Sequence, residues 1–183
     1  MGRTIVVQFI TLDGVVEDPD GRGGTPFGGW AMRYGPAGID GDKFDLGEVM
    51  TDGVLLFGRT TWEHFATLWP ARDNAFAKLM NDATKAVATH RPIDRDAWSN
   101  SSAIEGDLED WVRATTRERD VAVIGSQSVV TALAAADLVD EYRLLTFPIA
   151  LGAGRVLFPA GVEVRLVSTE ARGPGMLSVY AAR

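Results

Sequence analysis

Three short apolar runs, Ile5 to Ile10, Val54 to Phe57 and Val121 to Ile124, have the length and β-branched content of strands, and their near-continuous hydrophobicity predicts cover on both faces. Lys85 to Thr89 reads as a further strand. Between these runs lie helical patterns. Leu108, Trp111 and Val112 follow Asp107, and Val129, Val130, Leu133 and Ala134 follow Ser126, with the aspartate and serine as predicted caps. Strands alternating with helices predict a largely parallel sheet. The C-terminal part differs. Tyr142 to Ile149, Glu163 to Thr169 and Met176 to Ala181 are strand-like, and Arg172-Gly173-Pro174-Gly175 is a turn between the last two. The expected fold class is therefore α/β, three-layered, with a central mixed, mostly parallel sheet flanked by helices and a C-terminal antiparallel hairpin.

From Asp18 to Gly41 the chain is rich in glycine and proline but carries Phe27, Trp30, Met32 and Tyr34. Long loops in compact domains are often lids or binding loops, and four bulky residues favour an ordered, substrate-side loop over a floppy insertion.

Composition narrows the function classes. The 183 residues suit one domain, 1–183. No apolar run approaches the roughly 18 residues of a membrane span, and no leader-like segment precedes Ile5, so a cytoplasmic protein without a membrane partner is expected. Cysteine is absent and only His64 and His90 are available, so no metal site is expected. A net charge of −7 opposes general nucleic-acid binding, though it leaves room for a local basic pocket holding one small anion.

Candidate chemistry gathers where strands end. Gly58-Arg59-Thr60-Thr61-Trp62-Glu63 follows a buried strand: Gly58 permits close backbone approach, a helix starting here presents unpaired N–H groups, and Arg59 offers a planar fork matching phosphate oxygens. The alternative is a plain turn, with Thr60 or Thr61 capping the helix and Trp62 in the core. Gly125-Ser126-Gln127-Ser128 repeats the arrangement, again with helix capping by serine as the alternative. Thr89-His90-Arg91-Pro92 places a second cation after a third strand. In a mostly parallel sheet these strand ends lie on one edge, where ligands bind, and two arginines with two glycine-containing helix starts suit a dinucleotide bearing an extra phosphate.

On these segments the chain resembles the dihydrofolate-reductase-like superfamily. GRTTWE (58–63) matches its GRxTWE motif. TLDG (11–14), VIGSQSVVTAL (123–133), LVDEYRL (138–144) and PIALGAGRVLF (148–158) are most similar to the reductase domain of bifunctional riboflavin-biosynthesis enzymes. The resemblance implies an NADPH-dependent reductase. Arg59 and Arg91 would hold the 2′-phosphate, Thr89 and His90 would lie beside the adenosine, and Gly58, Thr60, Thr61, Gly125, Ser126, Gln127 and Ser128 would line the pyrophosphate. Thr11, Leu12, Asp13 and Val16 would approach the nicotinamide. The chain departs from the family in having Ser126 and Gln127 where further glycines are common. Because the corresponding dihydrofolate reductase peptide is often cis, a strained Gly125–Ser126 peptide is expected.

On the substrate side, counting back from GRTTWE places Asp42 where dihydrofolate reductases carry an acidic residue on the first helix. Its alternative is an N-cap for a helix containing Leu46, Val49 and Met50. Asp13 would either orient substrate or cap the turn at Gly14. Phe27, Trp30 and Tyr34 would cover a flat heterocycle or pack the loop onto the core. Gly152 and Gly154 would border the substrate pocket or form a tight turn. The loop before Asp42 lacks a counterpart of the dihydrofolate reductase tryptophan loop, which directs the expectation away from folate toward another pterin, pyrimidine or flavin-precursor-like substrate. The related reductases pair through their sheets, so a homodimer is expected. Three readings follow: an NADPH-dependent reductase of a small heterocycle, an NADP(H)-binding homodimer without turnover, and a structural oligomer without cofactor affinity.

Overall fold

Each predicted apolar run forms a strand in the computed structural model, which describes residues 1–182. The strands are β1 (Thr4–Thr11), β2 (Val54–Gly58), β3 (Lys85–Ala88), β4 (Ser101–Ala103), β5 (Val121–Val123), β6 (Glu141–Phe147), β7 (Val164–Arg172) and β8 (Gly175–Ala182). The helices are α1 (Gly35–Ile39), α2 (Val49–Asp52), α3 (Arg59–Leu68), α4 (Ala75–Asp82), α5 (Leu108–Thr115) and α6 (Gln127–Ala135). The sheet runs β4-β3-β2-β5-β1-β6-β8-β7. β1 to β5 pair in parallel, and β6, β8 and β7 pair antiparallel, giving the expected mixed sheet with its C-terminal hairpin. The short edge strand β4 went unpredicted, because two of its three residues are serines and carry no hydrophobic signal. No helix among the described residues is long and apolar enough to cross a membrane.

The chain forms two compact units. Unit 1 comprises Met1–Val6 and Asp45–Asp140; unit 2 comprises Val7–Phe44 and the chain from Glu141 onward. In unit 1 every residue of β2 and β5 is buried, as expected of parallel strands covered on both faces. Val129, Val130 and Leu133 of α6 and Trp62 of α3 are buried with them.

In unit 2 the glycine-rich stretch is ordered by its aromatic residues. Trp30 is fully buried with Ala31, Leu145, Phe147 and Leu177, and its Nε1–H donates to the Glu17 carbonyl at 2.8 Å. Asp18 shapes the preceding turn by accepting bonds from the Gly23 and Thr25 amides and the Thr25 hydroxyl. Two short helical turns, Met32–Tyr34 and α1, lie in this stretch, where the glycine and proline content predicts loop.

Lys85, on β3, is wholly buried. Its ammonium donates to the carbonyls of Met80, Asn81 and Ala83 at 2.7–3.0 Å, covering the C-terminal end of α4, and lies 4.6 Å from the Trp98 ring centre. A cation at a helix C-terminus is favourably placed against the dipole, and the carbonyls there have no intrahelical donors. Burial nevertheless pulls the ammonium down from 10.5 to about 8, partly opposed by Asp82. Because the unfolded chain holds this proton more tightly, the group destabilises the fold below pH 8, and that penalty fades as pH rises from 8 toward 10.5. Lys85→Met should lose about 2–4 kcal/mol at neutral pH by leaving buried carbonyls without donors. It should also remove the rise in stability above pH 8, as read from denaturant titrations of both proteins across that range.

Candidate functional site

Gly58 ends β2 and is the N-cap of α3, with extended backbone and no side-chain cap. Ser126 takes the same position before α6, also without a side-chain cap, because its hydroxyl pairs with the Ser128 hydroxyl at 2.8 Å. These observations correct the capping alternatives: Thr60 and Thr61 lie inside the first turn of α3, and Ser126 does not bond the amides of α6. The contrast lies within the same unit, where Asn74 caps α4 through the Ala77 amide and Asp107 caps α5 through the amides of Glu109 and Asp110. α3 and α6 thus start with first-turn N–H groups that no capping side chain occupies.

The two junctions touch. Gly58 N–H donates to the Gly125 carbonyl at 3.0 Å, and Ile124 N–H donates to the Leu56 carbonyl at 2.9 Å. A Cβ at Gly58 would lie 2.2 Å from Ser126 Oγ, and one at Gly125, where φ is +63°, would lie 3.2 Å from Thr61 Oγ1. Close packing therefore requires glycine at 58, and backbone conformation favours it at 125. The Gly125–Ser126 peptide is cis. The Ser126 side chain, the departure from the family pattern, occupies the space over Gly58.

Arg59 is braced. Its Nε donates to Glu63 Oε1 at 2.7 Å, and one terminal nitrogen donates to the carbonyls of Pro92 and Arg91 at 3.0 and 3.2 Å and to Thr89 Oγ1 at 3.3 Å. The Thr89 hydroxyl also accepts from the Arg91 amide. The guanidinium thus joins the start of α3 to the turn after β3, bringing Arg59, Thr89 and Arg91 together. His90 and Arg91 are exposed. Trp62 is buried behind the junction, donating to Ser101 Oγ at 2.9 Å. A hollow of about 320 Å³ beside α3 is walled by Arg59, Trp62, Glu63, Ala66, Thr67, Asp94 and Ala97. Its two carboxylates disfavour an anion there.

In unit 2, Asp13 closes a loop. Its carboxylate accepts the Thr11 hydroxyl at 2.6 Å and the amides of Leu151 and Gly152 at 3.0 and 2.7 Å. The Thr11 hydroxyl foremost, then the Gly152 and Leu151 amides, hold the acid below its ordinary 3.8 against a smaller opposing effect of desolvation. Asp13 is therefore an anionic clamp on the Leu151–Gly152 turn, while the Gly14 amide donates to the Thr11 carbonyl at 3.0 Å. Thr11 is buried, and its hydroxyl also accepts from the Val15 amide. Val16 is buried, and its amide donates to the Arg155 carbonyl. Gly152 adopts φ +69°, and a Cβ at Gly154 would lie 2.7 Å from Val15 and 3.0 Å from the Phe27 ring.

Asp42 is not helical. α2 begins only at Val49, after Glu48, and Asp42 accepts from the Phe44 amide at 3.3 Å within a turn. Asp45 and Gly47, with φ of 51° and 50°, stop any helix from running through 42–50, which removes the N-cap expectation. Trp30 belongs to the core, so it does not cover a substrate face. Tyr34 packs on Phe147 with ring centres 5.2 Å apart and donates its hydroxyl to the Pro148 carbonyl. Sequence reasoning missed Glu63, whose i,i+4 spacing from Arg59 was a readable signal, and Glu17, which accepts from the Arg155 amide and guanidinium and has none.

The strand order and flanking helices define the dihydrofolate-reductase-like α/β fold. Residues 3–178 match the RibD C-terminal domain, and the chain belongs to that family. It is 24% identical to the uncharacterized protein YyaP of Bacillus subtilis (strain 168), over 97% of this chain and 93% of that one. In structure it is similar to a candidate riboflavin biosynthesis protein from Shewanella sp. PV-4 (TM-score 0.70, 17% identity, 99% of each chain). It is also similar to a dihydrofolate reductase from Enterococcus faecalis complexed with NADP(H) and RAB-propyl (TM-score 0.58, 16% identity, 100% of this chain and 97% of that one).

Gly58→Ala should destabilise the protein by about 1–3 kcal/mol through overlap with Ser126, and Gly58→Ala/Ser126→Gly should recover a measurable part of that loss in a double-mutant cycle. Asp13→Asn should lower amide-exchange protection at Leu151 and Gly152. The same amides should lose protection in the unaltered protein only as pH falls below about 4, since a depressed carboxylate stabilises above its unfolded value and stops doing so when protonated.

Proposed function

We infer that the protein is an NADPH-dependent reductase of a small heterocyclic substrate. The observation that carries this reading is the pair of adjoining helix starts at Gly58 and Ser126, uncapped while α4 and α5 of the same unit are capped. Two sets of first-turn amides beside a braced arginine are a donor set for phosphate oxygens, so the residues fit the group. Gly58, Thr60, Thr61, Gly125, Ser126, Gln127 and Ser128 would hold the pyrophosphate, with Thr89 and His90 beside the adenosine. Glu63 offsets the charge of Arg59, so Arg91 would supply the uncompensated charge for the 2′-phosphate while Arg59 fixes the turn that presents it. Thr11 and Val16 would meet the nicotinamide, which supplies the hydride when bound. The family and the dihydrofolate reductase similarity support a heterocyclic acceptor.

One observation favours a second reading, NADP(H) binding without turnover. Asp13 is held anionic by three donors, and Asp42 sits in a turn rather than on a helix facing substrate. No carboxylate is thereby assigned as the proton donor.

Calorimetry with NADPH and NADH tests the cofactor assignment. Arg91→Ala should weaken NADPH about tenfold or more and leave NADH nearly unchanged, because only NADPH offers the charge-assisted contact. Absence of binding by either nucleotide at millimolar concentration would refute both readings. Steady NADPH oxidation with any of a panel of pterins, pyrimidines and flavin precursors would select the reductase.

A further inference from the structure

We propose that the hollow beside α3 is a binding site for a small organic cation, an ammonium or amidinium group carried on an apolar body. Its residues on α3, from Arg59 through Trp62, Glu63 and Ala66 to Thr67, are spaced to share one face of the helix, and Asp94 and Ala97 form the wall opposite. At about 320 Å³ it lies at the small end of the range for organic ligands. Alanines at 66 and 97 leave room that longer side chains would take.

Both walls are set without a ligand. Trp62 is 3% exposed and its Nε1–H is spent on Ser101 Oγ at 2.9 Å, which fixes the indole as an apolar floor. Opposite it, the Ala97 amide donates to the Asp94 carbonyl at 3.2 Å and the Asp96 amide to Asp94 Oδ1 at 3.0 Å. This turn leads into Trp98, which is buried and donates to Asn81 Oδ1 at 2.8 Å. A site built in advance spends little on ordering when it binds.

Charge selects the ligand. Glu63 is offset by Arg59 at 2.7 Å, and a terminal nitrogen of the same guanidinium bonds the carbonyls of Arg91 and Pro92. Arg59 therefore closes one end without adding net positive charge. The bond that Asp94 accepts from the Asp96 amide comes from a neutral group and leaves the carboxylate charge in place. One guanidinium against two carboxylates gives the lining a net negative charge, which favours a cation. Among the described residues no group of three or more His, Asp and Glu could hold a metal ion, and the apolar floor offers a metal no ligand atom. An organic cation uses both parts of the site. Its body covers Trp62, Ala66 and Ala97, while its N–H groups donate to carboxylate oxygens.

Titration of the isotopically labelled full chain, followed at the Trp62 indole N–H, tests the proposal with three flat probes of nearly one shape: cationic benzamidine, neutral benzamide and anionic benzoate. Loss of the signal in Trp62→Phe identifies it. Benzamidine should shift it saturably, with half-saturation below about 10 mM, and benzamide should require about tenfold more. Benzoate should leave it in place. Asp94→Asn should weaken benzamidine about threefold, and Ala97→Leu should abolish the shift by filling the hollow, with the other indole signals showing that both variants are folded. A signal unmoved by benzamidine, equal responses to benzamidine and benzamide, or a shift unchanged in both folded variants would each overturn it. No nucleotide enters the measurement, so the cation site and the reductase assignment fail or stand separately.

Discussion

The bond from Gly58 N–H to the Gly125 carbonyl fixes where two strand ends meet, and the candidate nucleotide site is arranged around it. It brings the starts of α3 and α6 to the same level, close enough that a single Cβ at Gly58 would overlap Ser126. The amides of both first turns then come together with no side chain capping them. The helices of this unit differ in this respect: α4 and α5 carry side-chain caps, while α3 and α6 do not.

With 18 lysines and arginines against 25 carboxylates, the protein places several of its charges on backbone groups. Arg59 holds the turn after β3 through two carbonyls, Lys85 covers the end of α4 through three, and Asp13 clamps two amides of a distant turn. Each charge stays solvated by peptide dipoles, which offset part of the cost of leaving water. The consequence for chemistry is direct. A carboxylate whose acceptors are already bonded is a poor proton donor, and a guanidinium paired with Glu63 contributes geometry more than net charge. Under the proposed assignment Arg91, exposed on the turn that Arg59 holds, is the side chain that would distinguish a phosphorylated nucleotide.

Unit 2 solves a different problem, how to order a stretch rich in glycine and proline. Trp30, Tyr34 and Phe9 surround Phe147 with ring centres 5.2–5.6 Å apart, so aromatic area supplies what backbone regularity does not. β7 shows the same economy: an irregularity between Leu166 and Ser168 sets Arg165, Ser168, Glu170 and Arg172 on one face, which strict alternation along the strand would divide.

Strand and helix positions were legible because side-chain period, β-branched content and a cap such as Asp107 are properties of neighbours along the chain. The two strand-to-helix junctions were legible too, since Gly58-Arg59 and Gly125-Ser126 follow buried runs directly, and the fold and family followed from the order of these segments. The roles of polar residues were not. Asp13 finds its partners 138 and 139 residues away, Lys85 looks like any surface lysine until β3 carries it inside, and Asp42 reads as a helix start until Asp45 and Gly47 turn left-handed. The sequence by itself determined which segments bury their side chains, because burial pattern is local and periodic. Only the tertiary structure decided which charges are engaged and which face outward, because a polar group's partner is whichever distant backbone the fold brings within hydrogen-bond reach.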